Sequence, residues 1–150
     1  MKRGDEEFLR RCRAVHILNQ AFTQALVAEG AENTEDWLII TANAATTFTV
    51  AQLRMAEADL AEFTQDFPPE FVTKIEAYAQ KNNCSVRAII DRRDQAIKRY
   101  LKRGTIKTED EARIAMGVLA DLEYVISAED RDKLEAMVAE FEESLVGKNQ

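Results

Sequence analysis

Residues 5–30 read DEEFLRRCRAVHILNQAFTQALVAEG. From Phe8, apolar residues recur at Cys12, Val15, Phe22 and Leu26, with Leu18 on the same side. Steps of three and four place them on one helix face. Gly30 suits the stop, because glycine accepts the left-handed conformation that ends many helices. The stretch predicts a helix over residues 5–29.

The same period continues on either side of a few breakers. Asn33 or Thr34 is placed to cap a second helix, with Glu35 and Asp36 favouring its N-terminal dipole. Trp37, Thr41, Ala44, Phe48, Ala51, Met55 and Ala58 then form one face. Four β-branched residues between Thr46 and Val50 weaken that helix locally, so it either continues, kinks or splits there. A short strand over the same residues is a weak alternative. Phe67-Pro68-Pro69-Glu70 is the clearest breaker, and proline suits the first turn of the helix over 69–81. Asn82-Asn83-Cys84 is a turn. Ser85 caps a helix that carries Val86, Ile89, Ile90, Ile97, Tyr100 and Leu101 to Arg103, where Gly104 ends it. Thr108 and Glu111 have capping-box spacing before Ile114, Val118, Leu119 and Leu122. Ser127 opens a last helix with Leu134, Met137, Val138, Phe141 and Leu145 inward. The expected fold is all-α: a single-domain bundle of about six helices, two longer N-terminal ones packed with four shorter ones. Residues 1–4 and 147–150 are expected to fray.

Composition narrows the function. The chain has 150 residues, enough for one domain with a substantial core. Five Gly, two Pro and two Cys exclude collagen-like, low-complexity and disulfide-scaffold classes. A single His cannot build a His-based metal cage or a paired relay. Cys12 and Cys84 are far apart and read as reduced thiols packed as small hydrophobes, although Arg11 and Arg13 flank Cys12. No apolar run follows the basic start, so no secretory signal is expected. The uncharged run Trp37–Leu53 carries too many Thr, Asn and Gln for hydrocarbon, so no transmembrane segment is expected either. A cytoplasmic location follows from these readings.

Catalytic signatures are missing: there is no GxGxxG, GxxxxGK[ST], HExxH, GxSxG or EF-hand loop. His16 has no carboxylate placed to orient it and reads as a packed or surface residue. Trp37, Phe48, Tyr78, Tyr100 and Phe141 sit at apolar helical positions and read as core. No catalytic, cofactor-binding or metal-binding residue is expected, and no cofactor.

The charge is uneven. The net charge is −7, yet Arg87 to Lys107 carries Arg87, Arg92, Arg93, Lys98, Arg99, Lys102, Arg103 and Lys107 against Asp91 and Asp94. That segment is +6 and the remainder −13. On a helix, Arg92, Arg99 and Arg103 fall near one line. The stripe reads in three ways: a brace under the acidic helices that follow, a solvated face, or a partner-binding surface. Acidic clusters at Glu29, Glu32, Glu35 and Asp36, at Glu57, Asp59, Glu62 and Asp66, and along Asp130 to Glu143 read as solvated helix surface. They also suit docking on a basic partner.

One resemblance bears on the stripe. Pro69-Glu70, Ile75, Tyr78-Ala79, Ser85, Ile89-Ile90 and Tyr100-Leu101 resemble the two helices of ribbon-helix-helix repressors. That family reads DNA with a strand before its first helix, whereas residues 61–67 here are acidic and helix-like. Membership is not inferred; the likeness modestly raises the nucleic-acid alternative and no more. The expected function is a small regulatory, inhibitor or adaptor protein that docks a helical surface on a protein partner without catalysis. Nucleic-acid binding through residues 87–107 is the alternative, and an enzyme of unrecognised type comes third. A homodimer through the Ala- and Thr-rich face of the second helix is a further expectation, and no membrane partner is expected.

Overall fold

A computed structural model describes residues 1–28, 30 and 40–148, with only the backbone at residue 148. Among these, all regular structure is helical. The helices are α1 (Glu6–Ala28), α2 (Ala44–Thr47), α3 (Val50–Gln65), α4 (Pro69–Lys81), α5 (Val86–Arg103), α6 (Glu109–Ala120) and α7 (Ala128–Lys148). The all-α reading therefore holds. Contacts divide the chain into two compact units, Met1–Ile90 and Asp91–Gln150, with the division inside α5.

In the first unit α1 packs against α2, α3 and α4. Its face of Phe8, Cys12, Val15, Leu18 and Phe22 meets Leu53, Leu60, Ile75 and Ile89 in one apolar core. Residues 3–4 form a turn before α1. The Asp5 carboxylate accepts the Lys2 N–H at 2.6 Å and the Phe8 N–H at 2.8 Å, and Met1 packs on the core. Those backbone donors, Lys2 first and then Phe8, hold the Asp5 carboxyl below its ordinary value. At the far end Gly30 adopts φ +95°, as the stop requires.

The long second helix does not continue through residues 46–50. Phe48 and Thr49 are extended, and Thr49 starts α3 with a complete capping box. Its hydroxyl accepts the Gln52 N–H at 3.1 Å, and Gln52 returns its side-chain oxygen to the Thr49 N–H at 2.8 Å. The Thr46 and Thr47 hydroxyls donate to the Asn43 carbonyl, competing with the regular backbone pattern. The expected cap at Asn33 or Thr34, the start of that helix and Trp37 lie outside the described residues. Thr41, Ala44 and Phe48 of the expected dimer face are buried within the chain itself.

The expected two-long, four-short arrangement also changes. α1 has 23 residues, but the other long helix is α7, with 21. Helix α7 runs to Lys148, and residues 149–150 lie outside the described residues. A helix, not a strand, precedes α4, since α3 runs to Gln65. The ribbon-helix-helix resemblance thus loses the element that would read DNA.

In the second unit Ala96, Ile97 and Tyr100 of α5 are buried, as are Ala115 and Val118 of α6 and Leu134, Met137 and Val138 of α7. Helices α6 and α7 pack on each other. Thr108 caps α6 as expected, accepting the Glu111 N–H at 3.2 Å. The reciprocal half of the box is redirected, because the Glu111 carboxylate takes the Lys107 N–H and the Arg103 guanidinium. Ser127 caps α7 through the Asp130 N–H at 3.1 Å.

Candidate functional site

The basic stripe separates into inward and outward residues. Arg93 is the inward extreme, its side chain 4% exposed. Its guanidinium lies 5.0 Å from the Tyr124 ring centroid and 3.6 Å from the Asp94 carboxylate. Arg92 is half-buried. Arg103 stacks on Tyr100, bonds the Thr105 carbonyl and pairs with Glu111 of α6. For Arg103, paired with Glu111 of α6, the brace describes the geometry; Arg93 instead lies against Tyr124 and its own neighbour Asp94. Arg87, Lys98, Arg99, Lys102 and Lys107 are exposed and make no ion pair among the described residues. Lys102 and Arg103 also sit in the last turn of α5, where cations offset the negative end of the helix dipole. Of the eight basic residues Arg93 is buried, Arg92 is half-buried and the other six are exposed.

The feature the sequence reading missed is the connection between α6 and α7. Leu122 was assigned to a core helix face. Instead α6 ends at Ala120, Asp121 turns extended, and Leu122 stands 90% exposed. Val125, three residues on, is 96% exposed. Single exposed aliphatics are ordinary, and here two stand three residues apart on one short turn. Met116, 47% exposed, and Ala120 lie one turn apart on the outward side of α6, which leads into the turn.

Several polar contacts hold this turn in shape. The Asp121 carboxylate accepts the Glu123 N–H at 3.0 Å, and the Tyr124 N–H bonds the Asp121 carbonyl at 3.2 Å. Arg131 of α7 reaches back to the Leu119 carbonyl at 2.9 Å and the Asp121 carbonyl at 3.3 Å. It thereby satisfies oxygens that the end of α6 leaves open. The Tyr124 hydroxyl donates to Asp94 at 2.9 Å, beneath the Arg93 guanidinium. Burial, reinforced by the Asp94 hydrogen bond and charge, pushes the phenol above its ordinary value, so it remains a donor at neutral pH. Tyr124 is inward and its neighbours Leu122 and Val125 are outward.

The cysteines, His16 and the aromatic residues sit as follows. Cys12 and Cys84 are free thiols; burial pushes both up, aided by Glu57 and Glu76 respectively. The Arg11 charge that flanks Cys12 is taken by Glu57, which is buried rather than part of a solvated acidic face. His16 Nδ1 lies 3.0 Å from the Thr41 hydroxyl, which also accepts the Asn19 amide N–H at 3.2 Å. Phe48 and Tyr100 are core, as expected, while Tyr78 and Phe141 are half-buried. No group of His, Cys, Asp and Glu able to hold a metal occurs among the described residues. None of their helices is long and apolar enough to cross a membrane. No known protein family matches the chain, and neither a curated protein nor a solved structure does.

Proposed function

We propose that the chain acts by docking on another protein, with the α6–α7 connection as its contact surface. The observation that carries this is the pair Leu122 and Val125, 90% and 96% exposed on a turn braced by Arg131, Tyr124 and Asp94. A turn already held in shape loses little freedom on binding. Burying the two aliphatic side chains is worth roughly 1.5–3 kcal/mol each. An adaptor, regulator or inhibitor works this way, by covering a partner's surface without chemistry of its own. Leu122→Ser with Val125→Ser is expected to weaken the complex about 100-fold. The melting temperature should stay unchanged, since neither side chain supports the core. The test compares wild type and the double variant as bait in extract of the native host. A stoichiometric protein held by wild type and absent from the variant is expected. Equal recovery on both, or none on either, overturns the reading.

Nucleic-acid binding is the second reading, favoured by Lys98, Arg99 and Lys102, exposed within little more than one turn of α5. Any such binding should fall steeply with salt and vanish when all three are reversed to Glu. A mobility-shift assay at low salt with duplex DNA, single-stranded DNA and RNA decides it, and no shift with any of them removes it.

A further inference from the structure

Resting on the docking reading, we infer that the partner presents a cationic amphipathic segment, apolar residues flanked by Lys or Arg, to the α6–α7 connection. The argument is the direction in which charges point around the apolar pair. Arg131 and Arg93 bond inside the fold, Arg131 to the Leu119 and Asp121 carbonyls and Arg93 beneath Tyr124 and beside Asp94, while Lys133 is exposed one turn after Glu129 and Asp130. The acids point outward. Glu123, between Leu122 and Val125, is exposed, as are Glu129 and Asp130 in the first turn of α7. None of the three makes an ion pair among the described residues. From Leu122 to Lys133 the exposed carboxylates Glu123, Glu129, Asp130 and Asp132 stand against one exposed cation, Lys133, and exposed aliphatics in so acidic a segment favour a partner with the opposite pattern. A phosphate backbone or an anionic membrane surface would be repelled at the same place.

The probe is a synthetic Leu/Lys amphipathic helix of about 14 residues, long enough to take up helix on binding. A Leu/Glu peptide of the same pattern is the control. Binding to the full chain is read by fluorescence anisotropy. The Leu/Lys peptide is expected to bind and the Leu/Glu peptide not. Leu122→Ser/Val125→Ser should weaken binding at least about tenfold, and Glu123→Gln/Glu129→Gln/Asp130→Asn about tenfold. Glu140→Gln/Glu142→Gln/Glu143→Gln removes the same charge farther along α7 and should change affinity by less than about twofold. If that distant triple weakens binding as much as the near one, the attraction is bulk acidity and the inference falls. If the apolar variant loses binding and the near acidic triple does not, docking at the turn stands and the cationic partner falls. If the apolar variant binds as wild type does, the docking reading fails as well. A dimer in light scattering that the apolar variant abolishes would make the occupant a second copy of the chain and overturn the inference.

Discussion

Phe8→Ala is expected to lower the stability of the unit Met1–Ile90 by about 4 kcal/mol. Phe8 is 0% exposed and begins the inward face of α1. Removing the ring deletes apolar area already withdrawn from water and leaves a cavity that surrounding side chains fill only in part. Its neighbours in the core are drawn from α1, α3, α4 and α5, so the loss touches most elements of the unit. Domains of this size are stable by about 5–15 kcal/mol, so the variant can populate unfolded chain even without denaturant. Phe8→Leu keeps most of the volume and should cost less than about 1.5 kcal/mol. Urea unfolding followed by far-ultraviolet circular dichroism measures both. An alanine variant within about 1 kcal/mol of wild type would mean that Phe8 is not at the centre of this core.

Glu57→Gln is expected to cost about 3 kcal/mol in the same measurement. Arg11 and Glu57 form an ion pair between α1 and α3, their side chains only 12% and 6% exposed, with Arg11 Nε 3.1 Å from the carboxylate. Burial opposes the Arg11 charge, but the hydrogen bond and charge of Glu57 outweigh it, so the guanidinium is held above its ordinary value. Glutamine keeps the shape and removes the charge, leaving a poorly hydrated guanidinium with only Glu7, at 3.4 Å, in support. That second carboxylate places the expected cost at the low end of the range for breaking a buried pair. Replacing both partners, as Arg11→Met/Glu57→Leu, should restore most of the loss, because the apolar pair has no desolvation cost to offset. A single variant as stable as wild type would show the pair to be solvated. A double variant no better than the single would show that shape rather than charge sets the cost.

Much of the fold is legible in the sequence. The stops at Gly30 and Gly104, the proline at the start of α4 and the caps Ser85, Thr108 and Ser127 act through their own backbone or the next turn. Local causes are readable locally. The β-branched residues from Thr46 to Val50 left a split open, and the capping-box spacing of Thr49 and Gln52 is the local signal that decides it. The Arg11–Glu57 pair was not readable. It joins residues 46 positions apart, and on its own helix each looks like an ordinary surface charge.

The candidate site shows the same division more sharply. The basic stripe was visible as composition, but composition does not say which way a side chain turns. Arg93 went inward because Tyr124 covers it, and Arg103 was taken by Glu111. By spacing Leu122 is the next inward residue after Val118, but α6 ends at Ala120. The Arg131 guanidinium on the Leu119 and Asp121 carbonyls, ten to twelve residues back, favours the chain turning there. Periodicity and caps decided that this chain is helical and roughly where each helix begins, because those signals lie within one turn of the residue concerned. Which charges are neutralised inside the fold, and which apolar side chains stay in water, rests on contacts between segments distant in sequence. Only the packed chain brings those segments together.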